Sequence, residues 1–246
     1  DKIGFLGHSA LHLIDAVFGS YDDAPADPGF VSQYRNLLHH FVHQRSSGKA
    51  TTFWTGFGAV RRDAFESVDG FAQRFRRPCV EDIEFGMRLS RAGGQIALRP
   101  EFQVKHLKRW TFRKMVSADI FDRALPWSRL ILENRDLPVN LNTDVSSRLS
   151  AVCVALTGLA IVGAVFIHSA FALCAILLVA FFLALNFDFY CFLTSKRSAA
   201  FALAVIPLHA LYYLYSATTF ALVSISAPFS STMLRPTDPK RYKAEA

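Results

Sequence analysis

A chain of 246 residues that is 52% hydrophobic, with a mean hydropathy of +0.24, is too apolar overall for one ordinary soluble domain. With 27 Lys and Arg against 20 Asp and Glu it is too charged for a pure membrane bundle, so two regions of different character are expected. The net charge of +7 sits beside long apolar runs, which favours anionic lipid headgroups over nucleic acid as its partner.

The chain opens on Asp1-Lys2-Ile3 without an initiator Met or a signal-peptide pattern, and reads as a fragment lacking its natural start. Ile3 to Val17 reads as a helix feeding a short strand at Ala16–Gly19. Residues 20–29 hold Asp22, Asp23, Pro25, Asp27, Pro28 and Gly29 and predict a loop. Asp22 and Asp23 are tempting metal ligands, but in a Pro-rich loop such a pair is more often turn chemistry. Phe30 to Gln44 predicts a helix capped by Ser32. His39 and His43 share a face of it at i, i+4, yet no Glu follows His39 in the zinc pattern, so an acceptor-facing or interfacial helix is the expectation.

Thr51–Thr55 predicts a buried strand continued by Gly56-Phe57-Gly58-Ala59-Val60, with two glycines where a ligand or backbone can approach closely. A short helix follows from Arg61. Arg74, Arg76 and Arg77 either attract phosphate or form a solvated loop. Val80–Leu89 predicts a helix with Glu81 and Asp82 in its first turn, halted by Gly93-Gly94. Gln95–Arg99 and Phe102–His106 read as two strands parted at Pro100-Glu101. The alternation of elements predicts an α/β domain over residues 1–132, with Thr111–Leu132 forming amphipathic helix along a membrane interface or an ordinary packing surface. A juxtamembrane linker over 133–148 follows.

From Leu149 to Phe187 there is no Asp, Glu, Lys or Arg, a run longer than the roughly 20 apolar residues that cross a bilayer core. His168-Ser169 marks a turn between helices at Leu149–Ile167 and Ala170–Leu193. A third apolar run over Ala199–Ala227 contains Pro207, which predicts a kink, so about three helices are expected across 149–227, with a polar tail over 228–246. Lys196 and Arg197 place their loop, and with it the charged domain, on the cytoplasmic side. Of the four cysteines, Cys153, Cys174 and Cys191 lie in or beside the apolar runs as small hydrophobes, and no disulfide framework or zinc spacing includes Cys79.

The segment Trp54-Thr55-Gly56-Phe57-Gly58-Ala59-Val60-Arg61-Arg62, the Glu81-Asp82 pair and His106-Leu107-Lys108-Arg109-Trp110 together resemble family 2 glycosyltransferases of the GT-A type. Gly19 to about Leu132 is similar to the second half of that catalytic domain, and the apolar runs to the tails of its membrane-bound bacterial members. The resemblance implies an inverting glycosyltransferase of hexosyltransferase type. It would move a sugar from a nucleotide-sugar donor to a lipid-linked or polysaccharide acceptor at the cytoplasmic face of a bacterial inner membrane. Asp82 is then the general base, Glu81 shapes the helix start, Gly56 lines the acceptor site, and His106, Arg109 and Trp110 meet acceptor phosphate or sugar. His106 stands where processive members carry Gln, which puts processive polymer synthesis in question. The family's Asp-x-Asp, the site of Mg²⁺ or Mn²⁺, falls upstream of this sequence, so no metal site is expected in it. A non-catalytic transferase-like scaffold, or a subunit of a polysaccharide synthesis or export complex, is the alternative.

Overall fold

The computed structural model describes residues 14–46, 48–54, 56–75, 77–134 and 144–227. Most of the expected helix from Ile3, Thr55, Arg76, most of the juxtamembrane linker and the 228–246 tail lie outside the described residues. The chain divides into two compact units, the first running to Arg109 and the second beginning at Trp110. The whole is mixed α/β and mostly helical, with one small sheet.

In the first unit four strands, β1 (Ala16–Tyr21), β2 (Gly48–Ala50), β3 (Gly58–Val60) and β4 (Ile96–Val104), are ordered β2-β4-β1-β3. The central pair β1 and β4 is parallel, and each edge strand is antiparallel to its neighbour. Ala16, Phe18, Ile96 and Leu98 of the central strands are buried, as a two-sided position demands. Helix α1 (Phe30–Gln44) packs on β1 through Tyr34, Leu37 and Leu38. Its start is set by Gly29 rather than Ser32: Gly29 is extended, makes no side-chain cap, and Ser32 is buried inside the first turn.

Two strand expectations are corrected. Of the strand expected over Thr51–Val60 only Gly58–Val60 forms, as β3; β2 ends before it at Ala50 on the opposite edge of the sheet, and a crossing segment through Thr52 and Phe53, both buried, follows β2. Conversely, the two strands expected around Pro100 are one, β4, with an irregular register: Phe18 pairs with Leu98 but Ser20 with Gln103. The extra residues on β4 form a bulge, where a Pro without an N–H is tolerated. The bulged strand presses the Phe102 carbonyl toward Gly19, where a Cβ would stand 2.1 Å from the oxygen.

Helices α2 (Arg62–Ser67) and α3 (Glu81–Arg91) complete this unit. Glu84, 3% exposed, forms a bidentate pair with Arg88 (Nε to Oε1 and Nη2 to Oε2, both 2.9 Å). Arg88 also donates to the carbonyls of Val68 and Gly70. Those carbonyls belong to a left-handed turn at Asp69 (φ 57) and Gly70 (φ 62). A buried ion pair with its remaining donors satisfied in this way ties the loop after α2 to α3.

The second unit begins with α4 (Phe112–Ser117), a π-helical segment (Ala118–Ala124) and α5 (Leu125–Asn134). Thr111 caps this helix, accepting from the Lys114 N–H. Pro126 has no N–H and its ring crowds the carbonyl four residues back, and the wider π turns immediately before it accommodate both. Then come α6 (Val145–Phe166), α7 (Ala170–Leu185), α8 (Phe187–Lys196) and α9 (Ala199–Ser226). Helices α6 and α9 are long and apolar enough to cross a membrane, and α7 with α8, bent by 59°, adds a third crossing if the pair is one span. Only 22% and 28% of the most apolar windows of α6 and α9 are buried, with Leu159, Val165, Leu203 and Leu222 turned outward. So much exposed hydrocarbon suits contact with lipid.

The turn expected at His168-Ser169 is there, with Ile167 and His168 N–H groups both donating to the Gly163 carbonyl. The helix expected over Ala170–Leu193 is broken at Asn186 instead. That buried amide donates to Ser150 Oγ of α6 (2.8 Å) and to the Phe182 carbonyl (2.9 Å). A polar residue in apolar surroundings is placed where it finds partners, and the helix bends there. Pro207 is accommodated within the continuous α9.

Candidate functional site at the strand ends

Strands β1 and β4 end together, and in open α/β sheets the carboxyl ends of parallel strands are where ligands bind. β1 delivers Tyr21 to this edge. Its ring meets His106, just beyond β4, edge-on at 4.5 Å, and His39 of α1 at 6.3 Å. Gly56 lies against the same ring: a Cβ there would fall 2.8 Å from Tyr21 Oη. Trp54 continues the cluster, with His39 at 5.7 Å and His43 at 4.7 Å. Aromatic and imidazole faces of this kind suit a sugar or base ring bordered by polar groups.

The loop after β1 is held by its own carboxylates. Asp22 Oδ1 accepts from the Ala24 N–H at 3.1 Å, an Asx turn, while Lys105 Nζ lies 3.5 Å from Asp22 Oδ2 and donates to the Ala24 carbonyl. Asn36 and His40 of α1 donate to the carbonyls of Asp22 and Tyr21 at 2.6 and 2.8 Å, so the strand end is tied to the helix. Asp27 Oδ2 lies 3.6 Å from Arg109 Nε, and the Arg109 side chain is 81% exposed.

α3 approaches by way of Gly86. A Cβ on it would stand 2.2 Å from Phe53 N and 2.6 Å from Thr52 C, so the helix backbone rests directly on the crossing segment that leads to Trp54 and Gly56. Phe53, Phe65, Phe71 and Phe85 surround this junction with centroids 5.3 to 5.8 Å apart. Asp82 lies four residues ahead of Gly86, on the same helical face, half-buried in the first turn, with Oδ1 accepting from the Ile83 N–H at 2.8 Å. Glu81 folds back so that Oε2 accepts from the Cys79 N–H at 2.6 Å. Three acids in this turn, Glu81, Asp82 and Glu84, lie at the positive end of the helix dipole.

Gly56 and His106 are thus brought to one aromatic ring, Glu81 and Asp82 to the helix seated on the neighbouring segment, and Arg109 to the loop after β1. Trp110 belongs to the second unit, where it is 5% exposed beneath the Arg123 guanidinium, 5.5 Å from the ring centroid. Tyr21 is the residue that sequence reasoning passed over. Its signal was an aromatic side chain at the end of a strand immediately before an Asp-rich turn.

His43 is buried among Phe18, His39 and Trp54, and its pKa is lowered to about 4, first by burial and then by His40 nearby. The folded state therefore holds a neutral ring that the unfolded chain would protonate from its ordinary value of about 6.5. Stability from His43 is complete above pH 6.5 and is lost as pH falls toward 4, by up to about 3 kcal/mol. Unfolding measured between pH 7 and 4 should show that slope, and His43→Phe should flatten it.

Among the described residues no group of three His, Cys, Asp or Glu side chains could hold a metal ion, and the Asp22 carboxylate is occupied by the Asx turn and Lys105. These residues do not fit the Mg²⁺ or Mn²⁺ that the family resemblance implies.

An α/β unit with aromatic and polar side chains gathered at its parallel strand ends is followed in the chain by helices long and apolar enough to cross a membrane, which suggests membrane association. Residues 35–111 match the family described as the N-terminal domain of galactosyltransferase. The match takes in Gly56, Glu81, Asp82, His106, Arg109 and Trp110, and supports a glycosyltransferase domain and sugar transfer in general. No curated protein and no solved structure matches the chain.

Proposed function

We propose that the chain is part of a membrane-anchored, inverting glycosyltransferase of family 2, with residues up to about Leu132 forming the second half of a GT-A domain. It transfers a hexose from a nucleotide-sugar donor to a lipid-linked or polysaccharide acceptor at the cytoplasmic face of a bacterial inner membrane. The observation that carries this reading is the seat of Asp82, on the face of α3 that Gly86 presses onto the Thr52–Phe53 segment, within the region matched to galactosyltransferases.

In the reaction an acceptor oxygen attacks the anomeric carbon from the side opposite the nucleotide. The bond from that carbon to the diphosphate oxygen breaks, the diphosphate leaves with the electron pair, and the hydroxyl proton passes to the Asp82 carboxylate. One displacement inverts the anomeric centre. Glu81 holds the turn at Cys79, Gly56 lets the Tyr21 ring close against the segment that lines the acceptor site, and His106, Arg109 and Trp110 contact the acceptor's sugar or phosphate.

Radiolabelled sugar transfer from a panel of nucleotide sugars into lipid and polymer, on membranes carrying the full-length protein, tests the proposal. Incorporation is the expected result, and none from any donor would overturn it. Gly56→Ala should displace the Tyr21 phenol and raise the acceptor KM about tenfold with a smaller change in kcat, since a small misplacement of a binding surface weakens ground-state and transition-state contacts alike. Steady-state kinetics with varied acceptor check it.

A further inference from the structure

Within the second unit, Asp119 is 2% exposed in the π-helical segment. One carboxylate oxygen accepts from the Tyr215 hydroxyl on α9, and the other accepts from Arg123 Nη1 at 2.7 Å. Arg123 in turn lies over the Trp110 ring. A carboxylate this deeply buried is costly unless its charge is met, and both of its oxygens are engaged. The chain of contacts runs from an apolar helix long enough to cross a membrane, through Asp119 and Arg123, to the indole. The π turns that carry Asp119 and Arg123 are a rare geometry that is frequent at functional sites.

We propose that Asp119 and Tyr215 are positioning residues that fix the Trp110 indole from the membrane helix α9, with Arg123 as the link. Neither touches substrate. The guanidinium serves both ends, Nη1 donating to the carboxylate while the central carbon lies over the ring, which the point charge of a Lys ammonium cannot do together. The consequence for transfer rests on the preceding reading, in which Trp110 contacts the acceptor. With Arg123 over its ring and only 5% of the residue exposed, the indole offers an acceptor a fixed edge and loses no rotamer freedom on contact, so loosening it weakens acceptor binding more than it slows chemistry.

The test uses the full-length protein in nanodiscs, labelled with 5-fluorotryptophan, with the Trp110 resonance assigned by its loss in Trp110→Phe. Tyr215→Phe, Asp119→Asn and Arg123→Lys should each move or broaden the Trp110 ¹⁹F signal and leave the Trp54 signal in place. Each should raise the acceptor KM about fivefold to tenfold with kcat within about twofold, as expected when uniform binding is lost. Tyr215→Phe is the variant that guards against a folding failure, because it deletes one hydroxyl and keeps the ring. An unmoved Trp110 signal in both Tyr215→Phe and Asp119→Asn overturns the positioning. A moved signal with an unchanged acceptor KM overturns its bearing on the acceptor. If the wild-type protein transfers no sugar, the functional reading fails while the ¹⁹F result still decides the geometry.

Discussion

Replacing Asp82 by Asn in the full-length protein should lower sugar transfer by about 10²- to 10⁴-fold, the range a positioned general base contributes. The amide keeps the size of the carboxylate and can still accept from the Ile83 N–H, so the first turn of α3 retains its bond. What it cannot do is take the acceptor's proton. The size of the loss therefore reports on the nucleophile: an alcohol needs the base and shows the full effect. An acceptor that attacks as an ionised phosphate has no proton to give, and a loss nearer tenfold is then expected, since the carboxylate acts only in placement. Initial rates with saturating donor, together with an unchanged unfolding temperature, distinguish a chemical defect from a folding one. Near-normal turnover would remove Asp82 from the mechanism.

Much of the first unit is legible because its elements carry local signals. Phe30–Gln44 and the acidic first turn of α3 fall where periodicity, dipole and the Gly93-Gly94 stop put them, and Gly93 takes the left-handed φ of 90 that favours glycine. The sheet is less legible. Thr51–Val60 has strand composition throughout, but only residues 58–60 of it form a strand, while 48–50 just before it pair at the opposite edge, and edge placement is decided by long-range pairing that composition does not encode. Pro100 misleads in the opposite direction: a bulge lets one strand run through a residue that normally ends one.

Of the candidate site, Gly56 and His106 meet at Tyr21, whose only sequence signal is its place at a strand end before an Asp-rich turn, because its role comes from the parallel register of β1 and β4. In the second unit the absence of charge from Leu149 to Phe187 announces the apolar helices at once. Asn186 is the exception, its bend arising from a hydrogen bond to Ser150, 36 residues earlier in the chain. The Asp119 network is likewise invisible in sequence, since Tyr215 lies 96 residues away. Local acids and glycines reveal themselves, whereas the partners that fix them are supplied by the fold.

The sharpest steric test of that fold is Gly86→Ala. In a solvent-facing helix this change would stabilise by about 0.5–1 kcal/mol, because alanine loses less backbone entropy. At Gly86 the new methyl would meet Phe53 N at 2.2 Å and Thr52 C at 2.6 Å. Those are backbone atoms of a buried segment, and no side-chain rotation relieves the overlap. Either α3 or the crossing segment must shift by an ångström or more, at a cost of about 1–3 kcal/mol for an overpacked core. The steric term exceeds the propensity gain, so a net loss of stability is expected and should be seen as a lower unfolding temperature in detergent. Transfer should fall further than stability does, because moving α3 away from Thr52–Phe53 carries Asp82 away from the segment leading to Gly56, and misplacement on that scale costs about 10² in rate. Gly158→Ala is the control: nothing lies within 4 Å of where its Cβ would stand, so transfer should be nearly unchanged. An unfolding temperature raised by Gly86→Ala would mean that α3 does not rest on the crossing segment, and the placement of Asp82 would go with it.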